Sequence, residues 1–177
     1  YGFTKLPGLD KQFMDLIAPG KFNLILHPKS KGSAREWGIA NFKKLVACLP
    51  AERFNIFISG TAEEGKLMPE LLSDPRVTDL TGKMNLRQLV AFINQCDGLV
   101  AASTGPLHVA AALGKRALGL FVPRKPIHPG RWRPLGQRAR ALVYDEDCVS
   151  CASGADCTCI TKISPEQIKN LLENESI

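Results

Sequence analysis

No uninterrupted apolar run in these 177 residues approaches the roughly 18 that a membrane-crossing helix needs, which excludes a helical membrane span from this stretch. The charged, apolar and small-residue zones of a signal peptide are missing as well. There is no internal repeat and no low-complexity tract. The GxxxxGK[ST] spacing is absent, which excludes a Walker A phosphate loop. No RNA- or DNA-binding motif stands anywhere in the chain. Acidic residues are outnumbered: 17 Asp and Glu face 23 Lys and Arg, a formal charge of +6 that favours anionic partners such as phosphates, nucleotides, acidic lipid headgroups or nucleic acid. A hydrophobic content of 45% is enough for the core of one ordinary domain. The chain opens at Tyr1 rather than Met, and residues 1–20 read as a linker or domain-crossing segment, so a fragment is expected.

The pattern alternates strand and helix. Strands are predicted at Asn23–His27, Phe54–Ile58, Gly98–Ala101 and Ala117–Phe121, with shorter ones at Val77–Leu80 and near Ala141–Tyr144. Phe42, Leu45, Val46 and Leu49 recur at helical spacing until Pro50 stops them. Thr61–Leu72 reads as one helix, opened by a Thr61/Glu64 capping box. Asn85–Cys96 is a helix capped by Asn85 and Gln88, with Leu86, Leu89, Val90 and Ile93 as its apolar stripe. An Ala-rich helix runs from Ser103-Thr104-Gly105 to Leu113, where Gly114 ends it. Ser164, Pro165 and Gln167 open a last helix over 164–175, with Ile163 and Ile168 as a staple across its start. Strands separated by single helices imply a doubly wound parallel sheet, in which ligands bind beyond the carboxyl ends of the strands. The loops after His27, Ile58, Leu80, Ala101 and Phe121 are therefore the ones to inspect.

Five of these loops carry candidate chemistry. His27 to Trp37 places Lys29, Ser30, Lys31 and Arg35 between a strand and a helix, where small residues and exposed N–H groups can cradle an anion; a solvated basic loop is the plain alternative. Ser59-Gly60-Thr61 with Glu63 and Glu64 can receive ribose hydroxyls, although Glu64 also has a capping role. Met84, after Thr81-Gly82-Lys83, can lie against a planar base, or the segment is only a turn capped by Asn85. Ser103-Thr104-Gly105 opens a helix directly after a buried strand, and free N–H groups at a helix start attract a diphosphate; His108 stands one turn further in. Pro123 to Gly136 gathers Arg124, Lys125, His128, Arg131 and Arg133 around Trp132, suited to closing over a phosphate or sugar, to contacting single-stranded nucleic acid, or to solvent alone.

Cysteine is used unevenly. Cys48 and Cys96 fall in helical patterns as core thiols. Cys148, Cys151, Cys157 and Cys159 crowd into C-x2-C-x5-C-x-C, which matches no standard metal-site spacing, so no metal is assigned; metal ligation, disulfides and loosely packed thiols stay open.

Together these segments resemble glycosyltransferase family 9, the ADP-heptose:lipopolysaccharide heptosyltransferases. The most specific run is Cys96 to Phe121, CDGLVAASTGPLHVAAALGKRALGLF. HPKSKGSAREWG, SGTAEEG, TGKMNLRQL, RWRPLG and the Cys-rich stretch before the last helix add to it. The resemblance implies a GT-B fold of two Rossmann-like halves. Residues 21–177 would be the C-terminal, nucleotide-sugar-binding half, including the Cys-rich loop at 145–162 and the helix at 164–175. It implies transfer with inversion, without cofactor or bound metal, from an ADP-sugar to a lipopolysaccharide inner-core acceptor. The acceptor surface and acidic base would belong to the other half, so no catalytic residue is expected here. By position, Arg35 falls near the diphosphate, Glu63 or Glu64 at the ribose, Met84 at the adenine, and Thr104, Gly105 and His108 in the diphosphate turn. Ser103 stands where many heptosyltransferases have an Asp, which puts the sugar in question. The family implies a cytoplasmic enzyme, compatible with a peripheral seat on the inner membrane, and no nucleic acid as partner. Competing readings are a transferase or epimerase for a UDP- or GDP-sugar, a nucleic-acid-binding module, or a non-catalytic nucleotide-binding domain.

Overall fold

A computed structural model describes residues 8–126 and 128–174. Its frame is a six-stranded, all-parallel sheet of β1 (Phe22–His27), β2 (Phe54–Ile58), β3 (Val77–Asp79), β4 (Gly98–Ala102), β5 (Arg116–Phe121) and β6 (Ala139–Val143). The strands lie in the order β3-β2-β1-β4-β5-β6. Helices α1 (Lys11–Met14), α2 (Ile39–Cys48), α3 (Ala62–Gly65), α4 (Pro69–Leu72), α5 (Leu86–Gln95) and α6 (Gly105–Ala112) are followed by α7 (Pro129–Trp132), α8 (Val149–Ala152) and α9 (Pro165–Glu173). None of the described helices is long and apolar enough to cross a membrane.

The strands are near-continuous apolar runs because both faces of the sheet are covered. Alternate residues feed opposite cores. Leu24, Leu26, Ile56 and Ile58 join Trp37, Phe42, Leu45, Ile163 and Ile168 on one side. Ile25, Phe57 and Leu99 join Phe13, Phe92, Leu107 and Ala110 on the other. Edge-to-face rings at 4.9 Å seat Phe92 of α5 on Phe57 of β2, and Phe42 of α2 on Trp37 of the preceding loop. At the amino ends of the strands, Asp97 accepts from the Asn23 amide at 2.7 Å and ties β1 to β4. The opposite ends are left to the loops.

Several local expectations hold. Both capping boxes form, Thr61 with Glu64 and Asn85 with Gln88, and Gly114 takes the left-handed conformation (φ 71°) that ends α6. Three differ. Thr61–Leu72 is two short helices rather than one, because Pro69 has no N–H to donate and starts a new helix instead. Ser164 makes no capping hydrogen bond, although Pro165 does occupy the first turn of α9. Residues 8–20, within the stretch expected as a linker or domain-crossing segment, are seated on the domain, with Phe13 buried against Phe92 and the Asn55 side chain donating to the Leu16 carbonyl at 2.9 Å. Residues 1–7, and the end of the expected last helix beyond 174, lie outside the described residues.

Candidate functional site

Neighbouring connections leave a doubly wound sheet on opposite faces where the strand order reverses, and a crevice opens between them. Here that point lies between β1 and β4. The loops following β1, β2, β3 and β4 enclose a cleft of about 590 Å³.

From the β1 loop come His27, Ser30, Lys31 and Ser33. This loop is built by Glu36, whose carboxylate accepts from the Ser30 amide at 3.0 Å and from the Lys29 ammonium at 2.5 Å. Ser33 donates to the Ser30 carbonyl at 2.7 Å. The resulting tight turn holds Lys31 (φ 50°) and Gly32 (φ 76°) in the left-handed region, and Trp37 pins the far end by donating to the Ile163 carbonyl at 2.9 Å. A non-glycine residue in that region is a strained position kept by its surroundings.

The β2 loop contributes Ser59, Gly60, Thr61 and Glu64. Glu64 is buried, and one of its oxygens accepts from the Thr61 amide at 2.8 Å. Ser59 and His27 form a buried pair at 2.9 Å. Burial pushes the His27 imidazole below the ordinary histidine value, against a smaller upward pull from Glu64. Beyond β3, Leu80, Gly82, Met84, Leu86 and Leu89 form an apolar wall. Gly82 is required there: its φ is 68°, its amide donates to the Gly60 carbonyl at 2.9 Å, and a Cβ would stand 2.7 Å from that of Ala62.

After β4, Thr104, Gly105 and Pro106 complete the lining. Thr104 precedes α6 without capping it, so the first N–H groups of that helix are uncapped by its side chain. Its own hydroxyl is buried and finds no hydrogen-bond partner among the described residues. An orphaned buried hydroxyl beside a helix start fits a ligand that supplies acceptors.

The structure thus brings together Ser30, Lys31, Gly60, Thr61, Glu64, Met84, Thr104 and Gly105. It does not bring in six other expected residues. Lys29 is held by Glu36. Arg35 reaches Asp156 at 2.7 Å, and this hydrogen bond holds the Asp156 carboxyl below the usual carboxylate range. Arg35 instead lines a neighbouring pocket of about 300 Å³ with Gly32, Val122, Arg124 and Lys125. Glu63 is exposed on the outer side of α3. Ser103 and His108 are half-buried away from the cleft lining. Arg131 lies over the Trp132 ring at 5.6 Å. Conversely, sequence reasoning named His27 and Ser59 only as members of their loops and did not select Leu80 or Leu89. The first two end or directly follow buried strands, and that position was the available signal; the leucines looked like ordinary core.

The cleft changes character across the sheet. It is apolar at β3, carries a carboxylate and hydroxyls at β2, and offers hydroxyls, a lysine and a helix start at β1 and β4. Fold and crevice define a Rossmann-like α/β domain of the kind that forms half of a GT-B glycosyltransferase. A profile of glycosyltransferase family 9 (heptosyltransferase) matches residues 7–159, and the chain belongs to that family. Among its relatives is lipooligosaccharide heptosyltransferase 2 of Campylobacter jejuni, 27% identical over 92% of this chain and 54% of the relative. Among solved structures, Escherichia coli ADP-heptose lps heptosyltransferase II superposes with a TM-score of 0.70 at 21% identity, over 93% of this chain and 51% of that one. Escherichia coli heptosyltransferase WaaC, solved with ADP, superposes with a TM-score of 0.69 at 16% identity, over 92% and 47%. The chain spans about half the length of the curated relatives it matches.

Proposed function

We propose that this chain is the donor-binding domain of an inverting heptosyltransferase of lipopolysaccharide core synthesis, and that its cleft takes ADP-heptose. The observation that carries the reading is the gradient along the cleft. A purine fits the apolar wall of Leu80, Met84 and Leu89, a ribose fits beside Thr61 and Glu64, and a diphosphate fits at Thr104, Gly105 and Lys31. Small backbone-lined turns at Gly60 and Gly105 admit a ligand closely, and nothing stands within 4 Å of where a Gly105 Cβ would be. Helix-start amides and the Lys31 ammonium would offset charge developing on the leaving diphosphate, the electrostatic work expected in a GT-B transferase. Family membership and the ADP-bearing relative support the nucleotide choice.

In this reading the sugar extends from the β4 side toward the pocket of Arg35 and Arg124, and the acceptor and acidic base come from outside these 177 residues. The domain works in the cytoplasm, at or near the inner membrane face where its acceptor lies. Calorimetric titration with ADP, UDP and GDP tests the proposal. Binding of ADP at least tenfold tighter than UDP or GDP supports it; equal or absent binding of all three sinks it. Competition by ADP-heptose against ADP-glucose then tests the sugar.

A further inference from the structure

The segment from Tyr144 to Thr158 has almost nothing with which to hold itself in place. Every residue in it is exposed except three cysteines: Cys151 is buried, and Cys148 and Cys157 are half-buried. Cys159, just beyond, is buried too. Their sulfurs converge. Cys148 and Cys157 are 3.4 Å apart, Cys151 and Cys159 are 3.5 Å apart, and all four lie within 4.8 Å of one another. The sequence spacing left metal ligation, disulfides and loose thiols open; the fold brings the four sulfurs together by turning α8 and the short 3-10 turn Cys159–Lys162 toward each other.

Four thiolates around one ion of zinc's size, about 2.3 Å from each sulfur, form a tetrahedron with edges of about 3.8 Å. The observed convergence fits that single-ion arrangement. The Cys159 amide also donates to the Cys157 sulfur at 3.3 Å, the kind of N–H···S contact that orients a thiolate ligand. A loop that buries no side chains but its cysteines gains from such a staple what a core would otherwise supply.

We infer that Cys148, Cys151, Cys157 and Cys159 form a structural four-thiolate site for one Zn²⁺ that fixes this loop onto α2 and α9. Each thiol gives up its proton on ligation, so loading the reduced chain releases protons to the buffer. The loop carries Asp156, which holds Arg35 at the rim of the smaller pocket. The metal therefore positions the floor beside the cleft and takes no part in the cleft itself.

The test is metal analysis of the 177-residue chain purified with a phosphine reductant and without a histidine tag. One zinc per chain is expected. Exchange for Co²⁺ should give the intense visible bands and near-ultraviolet thiolate charge-transfer band of a tetrahedral four-sulfur site. Cys151→Ser and Cys159→Ser should each lose more than four-fifths of the metal, whereas Cys48→Ser and Cys96→Ser keep it. Should the buried substitutions fail to fold, wild-type stoichiometry, the cobalt spectrum and the half-buried Cys148→Ser variant still decide. Hydrogen exchange across 148–159 should rise at least tenfold on metal removal. A fully reduced, folded chain that holds neither zinc nor cobalt overturns the inference, as does mass spectrometry showing the same four residues joined as two disulfides in the cytoplasmic protein.

Discussion

Replacing Thr104 with Val separates a ligand contact from a structural one, because the two predict opposite signs. Val keeps the branched shape and removes only the hydroxyl. That hydroxyl is buried without a partner among the described residues and does not cap α6, so no capping energy is lost. A buried, unsatisfied polar group costs about 1–3 kcal/mol. Its removal should therefore leave stability unchanged or raise it by roughly 1 kcal/mol. Binding should move the other way. A hydrogen bond to a charged oxygen contributes about 1.5–3 kcal/mol, which is roughly a ten- to hundredfold loss of ADP affinity. Urea unfolding without ligand and calorimetry with ADP measure the two. A variant that is less stable by more than 1 kcal/mol, with ADP affinity unchanged, would refute the reasoning and make Thr104 a purely structural residue.

Three further outcomes are expected. Gly82→Ala forces a side chain into the left-handed region and onto Ala62; it should cost about 1–2 kcal/mol or more and weaken ADP binding, both seen in urea titrations with and without nucleotide. Because burial depresses the His27 pKa, the unfolded chain binds the proton first, so stability should be full above about pH 6.5 and fall as pH drops below it. Denaturant midpoints at pH 7.5 and 5.5 should show a smaller difference in His27→Gln, and equal differences would remove His27 as the titrating group. Lys31→Ala should weaken ADP about fivefold or more, less so at high salt, whereas Arg35→Ala, already paired with Asp156 outside the cleft, should change it less than twofold.

How legible the site was follows from which interactions are local. The six strands, the two capping boxes and the turns at Gly60 and Thr104-Gly105 depend on residues within a few positions of each other, so periodicity and cap chemistry exposed them. Which cations stay available depends on partners far away or on the fold of a loop. Lys29 was as good a candidate as Lys31 until Glu36 was seen to hold it, and Arg35 finds Asp156, 121 positions on. The cysteines show the same limit in reverse. That their four sulfurs lie within 4.8 Å of one another was not legible from their spacing, because the convergence is set by how α8 and the following turn pack. Position relative to strand ends survives this limit better than residue type. His27 and Ser59 lay where a doubly wound sheet must put its ligand, at the last residue of β1 and the first after β2, and they form the buried pair at the base of the cleft. For a sheet of this order, the contacts proposed for a nucleotide run across neighbouring strand ends, from the leucines after β3 to the helix start after β4, and only the paired order of the strands turns four separated loops into one cleft.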